Sequence, residues 1–102
     1  MELEEIAMRI SALRTRKNIS AREMSLSIGQ NANYINRIEN GKAIPSLPGL
    51  LYICEYLGIT PCEFFDTDNK NPTRLGNIIA NLKKLPDDEL ETIEKLTEYL
   101  TK

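Results

Sequence analysis

Apolar residues recur every three or four positions along most of this chain, the spacing that places them on one face of an α-helix. A first helix is predicted over about residues 3–17, from Leu3, Ile6, Ile10 and Leu13. The same spacing predicts further helices over about residues 20–28, 31–40, 46–57, 60–65, 72–85 and 86–101. No segment alternates apolar and polar residues as a half-buried strand would, so the predicted fold class is all-α.

Helix-capping residues mark the ends of the second and third predicted helices. Ser20 and Glu23 fit a capping box, in which each side chain accepts a hydrogen bond from the backbone N–H of the other residue. Gly29 can adopt the left-handed conformation that ends a helix. Asn31 is a favourable N-cap for the next helix, and Gly41 ends it. Two helices separated by a short turn that begins with glycine predict a helix-turn-helix.

The segment DTDNKNP, residues 66–72, is polar and rich in turn-forming residues, which predicts a linker. We therefore predict a five-helix domain over residues 1–66, followed by the linker and a two-helix extension over residues 67–102. The last two helices are amphipathic and meet at Pro86, which predicts a helical hairpin.

The composition argues against several classes of function. The 102 residues contain no histidine and two cysteines, which leaves little material for a metal site or a general base. No enzyme activity, metal or cofactor is therefore expected. Cys54 and Cys62 could form a disulfide, but burial as small apolar residues is the expected state. No apolar run reaches the ~18 residues that a membrane span needs, and the acidic start MELEEIAMRI is unlike a signal peptide, so a cytoplasmic protein is expected.

The charge is unevenly distributed along the sequence. The whole chain has a net charge of −2, yet residues 9–45 hold seven Lys or Arg and two Glu, a net of +5. Such a concentration is typical of a phosphate-binding surface. A chance cluster on a solvated surface explains the charge equally well, so charge alone leaves both interpretations open.

Five positions of the predicted helix 31–40 lie on one side of it, because they are spaced i, i+1, i+4, i+5 and i+8. We call this set the polar face; its members are Ala32, Asn33, Asn36, Arg37 and Asn40. Asn can form paired hydrogen bonds to adenine, and Arg to guanine. An Asn-rich helix face on its own is usually solvated surface. Here the face comes after a capped helix and a glycine turn, within a segment of net positive charge. This combination favours a base-reading role.

The segment LRTRKNISAREMSLSIGQNANYINRIENGKAIPSLPGLLYICEYLGITPCEFF resembles the lambda-repressor-like (phage repressor/Cro-type) helix-turn-helix family, over roughly residues 6–66. Its most specific part is YINRIENGKAIPSLPGLL, residues 34–51. The resemblance implies a five-helix DNA-binding domain with residues 31–40 in the major groove. The implied base-facing residues are Ala32, Asn33, Asn36 and Arg37. Ala32 is shorter than the Gln or Arg that the family frequently has there, and can contact only a thymine methyl.

Other contacts follow from the same resemblance. The expected phosphate-facing residues are Ser20, Arg22, Asn31, Tyr34, Asn40 and Lys42. The family often has Gln directly after the cap of the second helix, where this chain has Ala21; Arg22 lies about 100° further around the helix. The ion pair that the family places between its first and third helices would join Arg14 to Glu39.

The expected function is a sequence-specific, DNA-binding transcriptional regulator that acts as a repressor. The alternative is a protein-interaction regulator, of the antitoxin or anti-regulator type, that acts mainly by binding another protein. The salt dependence of binding to duplex DNA separates the two functions. A DNA-binding regulator loses affinity steeply as salt rises, because its phosphate contacts release counterions.

The extension could fold back on its own domain or pair with its copy in a second chain. Pairing is expected, because two-fold symmetric proteins read two half-sites about 34 Å apart. The residues predicted to hold the homodimer share one face of the last helix and are Leu90, Ile93, Leu96 and Leu100. Double-stranded DNA with an inverted repeat is the expected partner, and no membrane is expected.

Overall fold

The computed structural model describes every residue of the chain, 1–102, and all of its regular structure is helical. The helices are α1 (Leu3–Arg16), α2 (Ala21–Ser27), α3 (Tyr34–Glu39), α4 (Leu47–Leu57), α5 (Pro61–Phe65), α6 (Pro72–Leu82) and α7 (Asp87–Leu100). The all-α prediction is therefore confirmed. The chain divides into two compact units, 1–72 and 73–102. None of the helices is both long enough and apolar enough to cross a membrane.

The first unit is built around one apolar core to which α1 to α5 all contribute. Its central side chains, Ile10, Met24, Ile35, Ile53, Leu57 and Phe64, have no exposed surface. The core also includes Leu13, Ile38, Leu50, Cys54 and Ile59. Apart from Ile59, which lies between α4 and α5, these positions recur at helical spacing in the sequence, because burial of apolar surface is the main driving force for packing short helices. Leu3 also has that spacing but is exposed.

Side-chain caps fix the starts of three of these helices. The Ser20 hydroxyl accepts a hydrogen bond from Glu23 N–H at 3.0 Å, which is one arm of the predicted capping box. Thr60 and Glu63 form both arms at the start of α5. Ser46 accepts from Gly49 N–H at 3.1 Å at the start of α4. Each cap satisfies an N–H group that has no partner within its own helix.

Arg9 of α1 is buried and holds the C-terminal end of α5 by hydrogen bonds. Its Nε donates to Phe64 O at 2.8 Å, and its Nη2 donates to Glu63 O at 2.8 Å and Asp66 O at 3.0 Å. These carbonyls lie at the C-terminus of α5, where backbone acceptors lack partners within the helix. Desolvation lowers the pKa of Arg9 although the nearby Asp66 carboxylate opposes that shift. The N-terminal helix is thereby bonded to the last helix of the same unit.

The two cysteines have different environments. Cys54 is buried in the core, as predicted, and burial raises the pKa of its thiol. Cys62 is exposed, so the prediction of a second buried apolar cysteine is wrong. It lies in the first turn of α5, whose inward-facing position is taken by Phe64. Both thiols are free.

The second unit contains helix α7 and almost all of α6. Helix α6 ends three residues before the predicted Leu85, since Lys84 N–H and Leu85 N–H instead form shorter-range bonds to Asn81 O and Leu82 O, both 3.1 Å. Pro86, which follows, disfavours helical backbone at the residue before it. No residue of α7 is buried, and Pro72 is the only buried residue of α6. These two helices therefore enclose no core of their own.

Candidate nucleic-acid interface

Helices α2 and α3 are joined by one buried hydroxyl group. Ser25 has no exposed surface; its Oγ donates to Ala21 O at 2.7 Å and accepts from Ile35 N–H at 3.0 Å. The first bond lies within α2, while the second spans to the first turn of α3, whose N–H groups lack intrahelical partners. A serine is small enough for two helices to approach closely at this point. This single side chain therefore ties the start of α3 to the middle of α2.

The turn between the two helices uses glycine and asparagine. Gly29 has φ +78°, the left-handed conformation that side chains with a Cβ rarely adopt. Gln30 N–H then donates to Ser25 O at 2.9 Å, which closes the turn over the end of α2. Asn31 Oδ1 accepts from Asn33 N–H at 3.0 Å. This Asx turn replaces the first helical turn that was predicted.

Helix α3 is shorter than the sequence suggested. The prediction that Asn31 caps a helix running from residue 31 to residue 40 is wrong: α3 comprises Tyr34–Glu39, with Asn33 as N-cap and Asn40 as C-cap. Asn31 does accept a local backbone hydrogen bond, but in the turn before the helix. Ala32 and Asn33 consequently precede the helix, and only Asn36 and Arg37 of the polar face lie within it.

The polar face is nevertheless largely exposed. Asn33, Asn36, Arg37 and Asn40 are exposed, and Ala32 is half-buried. On the opposite side of α3, Ile35 and Ile38 are buried in the core, with 0% and 2% of their surface exposed. The helix is therefore anchored on its apolar side, and it presents amide and guanidinium groups to solvent.

Two amides of the polar face are bonded to each other. Asn40 Nδ2 donates a hydrogen bond to Asn36 Oδ1. Their i, i+4 spacing is the one at which polar side chains meet on a helix. Asn36 thus presents a carbonyl oxygen that already accepts one hydrogen bond, and two N–H groups that have no partner in the protein.

The residues expected to face phosphates lie in several local environments. Arg22 and Lys42 are exposed, and so are Ser20 and Asn31, whose side chains already accept backbone hydrogen bonds. Tyr34 is different, because it is half-buried and burial raises its pKa. The Tyr34 hydroxyl lies so close to Gly49, in the first turn of α4, that a Cβ on Gly49 would come within 2.5 Å of it.

Arg14 and Glu39 form an ion pair between α1 and α3. Arg14 Nε lies 2.8 Å from Glu39 Oε2, and Arg14 Nη2 donates to Glu39 Oε1 at 2.9 Å, which makes the pair bidentate. A third donor, Nη1, bonds Ile19 O at 2.8 Å. The hydrogen bond to Glu39 raises the pKa of Arg14, against the effect of burial. The two side chains retain 18% and 12% of their exposure, so the pair is only partly shielded from water.

Internal contacts reduce the number of cations available to a ligand. Of the seven cations in residues 9–45, Arg9 is bonded to the carbonyls of α5 and Arg14 is paired with Glu39. The exposed cations that remain are Arg16, Lys17, Arg22, Arg37 and Lys42. In the same segment Glu23 is the one carboxylate outside an ion pair. The surface of this segment therefore stays positive.

The residues predicted to hold a dimer lie on α7. Leu96 and Leu100 are 51% and 69% exposed, while Leu90 and Ile93 are half-buried. Helix α6 likewise exposes Leu75, Ile78 and Ile79, each by more than 40% of its surface. A single chain thus leaves much apolar surface of these helices in contact with water.

Comparison with known proteins identifies the first unit. The model of a helix-turn-helix family, HTH_3, matches residues 10–64, which is more than half of the chain. This is a family of lambda-repressor-like, DNA-binding regulators and not a family of enzymes. The predicted resemblance is therefore confirmed, and the matched segment runs from the middle of α1 into α5. No curated protein and no solved structure matches the chain.

Proposed function

We propose that this chain, which belongs to the helix-turn-helix family and so to the DNA-binding transcriptional regulators, is a sequence-specific repressor that binds an inverted-repeat operator as a homodimer. The observation that carries the proposal is the polar face. Its amide and guanidinium groups are solvent-exposed, while the other side of α3 is fixed in the core. A bound dimer represses by covering the DNA that a polymerase must enter.

Base recognition is assigned to the polar face because its chemistry fits base edges. An α-helix fits the major groove, where guanine offers two acceptors to an arginine, and adenine offers a donor and an acceptor to an asparagine. Arg37 has no partner within the protein, so its guanidinium is available for a guanine. Asn33 and Asn36 are the candidates for adenine, and half-buried Ala32 can contact a thymine methyl.

Phosphate contacts are assigned around this face. Positive charge comes from Arg22, which precedes the polar face in the sequence, and from Lys42, which follows it. Ser20, Asn31 and Asn40 supply neutral hydrogen-bond donors. The Tyr34 hydroxyl, at the first turn of α4, adds a donor next to the N-terminus of a helix. Helix N-termini favour anions because their N–H groups and dipole point outwards. These contacts position the protein without selecting a sequence.

The homodimer is assigned to the second unit. Its apolar side chains are exposed in the single chain, and an exposed apolar surface of this kind marks an interaction site. Two copies joined through α6 and α7 place two polar faces on one DNA molecule. This arrangement suits a site whose half-sites are about 34 Å apart, since one α3 contacts only a few base pairs.

Selection of bound sequences from random duplex DNA tests the base-reading assignment. Arg37→Ala should cost about 1–3 kcal/mol on the selected site and relax discrimination at one base pair. Lys42→Ala, the matched control, should weaken all sequences alike and reduce the salt slope by about 1. Equal losses on selected and random DNA for Arg37→Ala would show that Arg37 does not read a base.

Binding to DNA that is insensitive to salt would favour the protein-interaction alternative. A reporter gene that stays active when the selected site overlaps its promoter would exclude repression.

Sedimentation of variants tests the role of the second unit. A chain truncated after Pro72, the end of the first unit, should be a folded monomer with much weaker operator binding. In the full chain, Leu96→Lys should also give monomers, because it places a charge on the exposed apolar face. Glu98→Lys, on the other side of α7, is the matched control and should stay dimeric. A truncated chain that sediments as a dimer, or a full chain that is monomeric at tens of micromolar, would remove this role.

A further inference from the structure

The bond between Asn40 and Asn36 fixes the orientation of one side chain of the polar face. Asn40 is the C-cap of α3, and its own N–H donates to Asn36 O at 3.0 Å. Gly41 N–H and Lys42 N–H then donate to Ile38 O at 3.1 Å and Arg37 O at 2.8 Å. The backbone of Asn40 is therefore held on both sides. From this fixed backbone position, the side-chain Nδ2 of Asn40 donates to Asn36 Oδ1.

Fixing the Asn36 amide has a consequence for recognition. An asparagine that pairs with adenine must accept a hydrogen bond from N6 and donate one to N7, so the amide has to face the base in one of its two orientations. A solvent-exposed amide without a neighbour rotates freely, and ordering it costs free energy on binding. The carbonyl oxygen of Asn36 takes one proton from Asn40 and keeps a second lone pair for the base. Its N–H groups remain free to donate.

We propose that Asn40 is a positioning residue, which orients the Asn36 amide so that discrimination at one base pair depends on a residue that contacts no base there. This rests on the proposed function, since it assumes that Asn36 reads a base. Asn40 keeps a second N–H, which can still donate to a phosphate. The two roles differ in their effects, because a phosphate contact weakens all sequences alike, whereas a positioning contact affects one base pair.

A set of alanine variants of the full chain separates these roles. The selected site and its single-base variants are titrated with the wild type, Asn36→Ala, Asn40→Ala and the double variant. Asn36→Ala should lose roughly 5- to 150-fold discrimination at one base pair. Asn40→Ala should lose about three- to tenfold discrimination at the same base pair, in addition to any uniform loss on all sequences from its phosphate contact. The double variant should discriminate there no worse than Asn36→Ala alone, because coupled residues are not additive.

Asn33 provides the matched control. It is another exposed amide of the polar face, and its side chain has no bond to Asn40. Combined with Asn40→Ala, Asn33→Ala should therefore give additive losses. Thermal melting of each variant checks that the fold is retained. Asn40 has φ −90°, which alanine adopts without strain, so the melting temperature should not fall.

Nuclear magnetic resonance of the free, full-length protein tests the bond without DNA. The Asn40 side-chain amide resonances should shift on Asn36→Ala and stay in place on Asn33→Ala. Unshifted resonances, equal losses on specific and random DNA for Asn40→Ala, or additivity with Asn36→Ala would each overturn the positioning role. If Arg37→Ala relaxes specificity while Asn40→Ala does not, only this inference is lost. If no sequence is selected at all, the proposed function is lost and the inference with it.

Discussion

Replacing Ser25 by alanine should destabilise the first unit by removing the one side chain that bonds α2 to α3. The buried Ile35 N–H would lose its acceptor, now at 3.0 Å, and a buried donor left without a partner costs about 1–3 kcal/mol. The loss of the bond to Ala21 O should matter little, because it lies within one helix. We expect the free energy of unfolding to fall by about 2 kcal/mol, which lowers the melting temperature by roughly 8–16 °C in a domain of this size.

Ser27→Ala is the matched control for this experiment. Ser27 lies on the same helix, is exposed, and has no hydrogen bond from its side chain. Both variants gain the higher helix propensity of alanine, about 0.5 kcal/mol, so the difference between them isolates the buried bond. Urea unfolding followed by circular dichroism gives the free energies of unfolding, and Ser27→Ala should stay within about 0.5 kcal/mol of the wild type.

The reasoning fails if Ser25→Ala and Ser27→Ala have the same stability. In that case Ile35 N–H has found another acceptor, and the hydroxyl does not fix the two helices. A second readout is the exchange rate of the Ile35 amide proton in the folded protein. It should rise in Ser25→Ala by more than the change in global stability accounts for, because the opening is local.

Substitutions at Glu39, Arg9 and Asn18 test other features of the first unit. Glu39→Gln should lower the free energy of unfolding by about 2 kcal/mol. This loss lies between those expected for an exposed and for a fully buried ion pair, because Arg14 keeps some contact with water. A variant that melts within a degree or two of the wild type would contradict this. Arg9→Met should cost about 3 kcal/mol in urea unfolding by leaving the Glu63 and Phe64 carbonyls without a donor, since Asp66 O keeps its bond from Asn69 N–H. Arg16→Met, on the exposed side of α1, should be nearly neutral. Asn18 has φ +59°, so Asn18→Ala should cost about 1 kcal/mol and Asn18→Gly should be tolerated; equal calorimetric melting temperatures for the two would argue against backbone strain there.

Local chemistry made most of the fold predictable from sequence. The caps at Ser46 and Thr60 and the glycine at the end of α4 depend only on residues within a few positions of each other. The helical periodicity identified the inward-facing residues for the same reason, since one turn of helix determines which side chains share a face. The face that α3 presents to solvent follows directly from this periodicity.

The features that sequence did not predict depend on contacts between distant segments. Asn31 accepts a local backbone hydrogen bond in the turn, but α3 begins later, where Ile35 N–H donates to the hydroxyl of Ser25, ten positions earlier. Nothing near Arg9 in the sequence indicates that its partners are carbonyls more than 50 residues away, so the sequence groups it with the cations of the basic segment. The Asn36–Asn40 bond is the exception, since its i, i+4 spacing is visible in the sequence.

The bonds from Arg9 to the end of α5 have a consequence for synthesis on the ribosome. The N-terminal helix emerges first, yet its buried guanidinium finds its acceptors only when residues 63–66 have been added. Phe64, which has no exposed surface, arrives at the same moment. Helix α1 therefore cannot complete its packing while the chain is shorter than this, and the DNA-binding unit becomes whole only with its last helix. Nascent chains stalled before α5 should be digested by protease, and chains stalled well beyond Pro72 should resist.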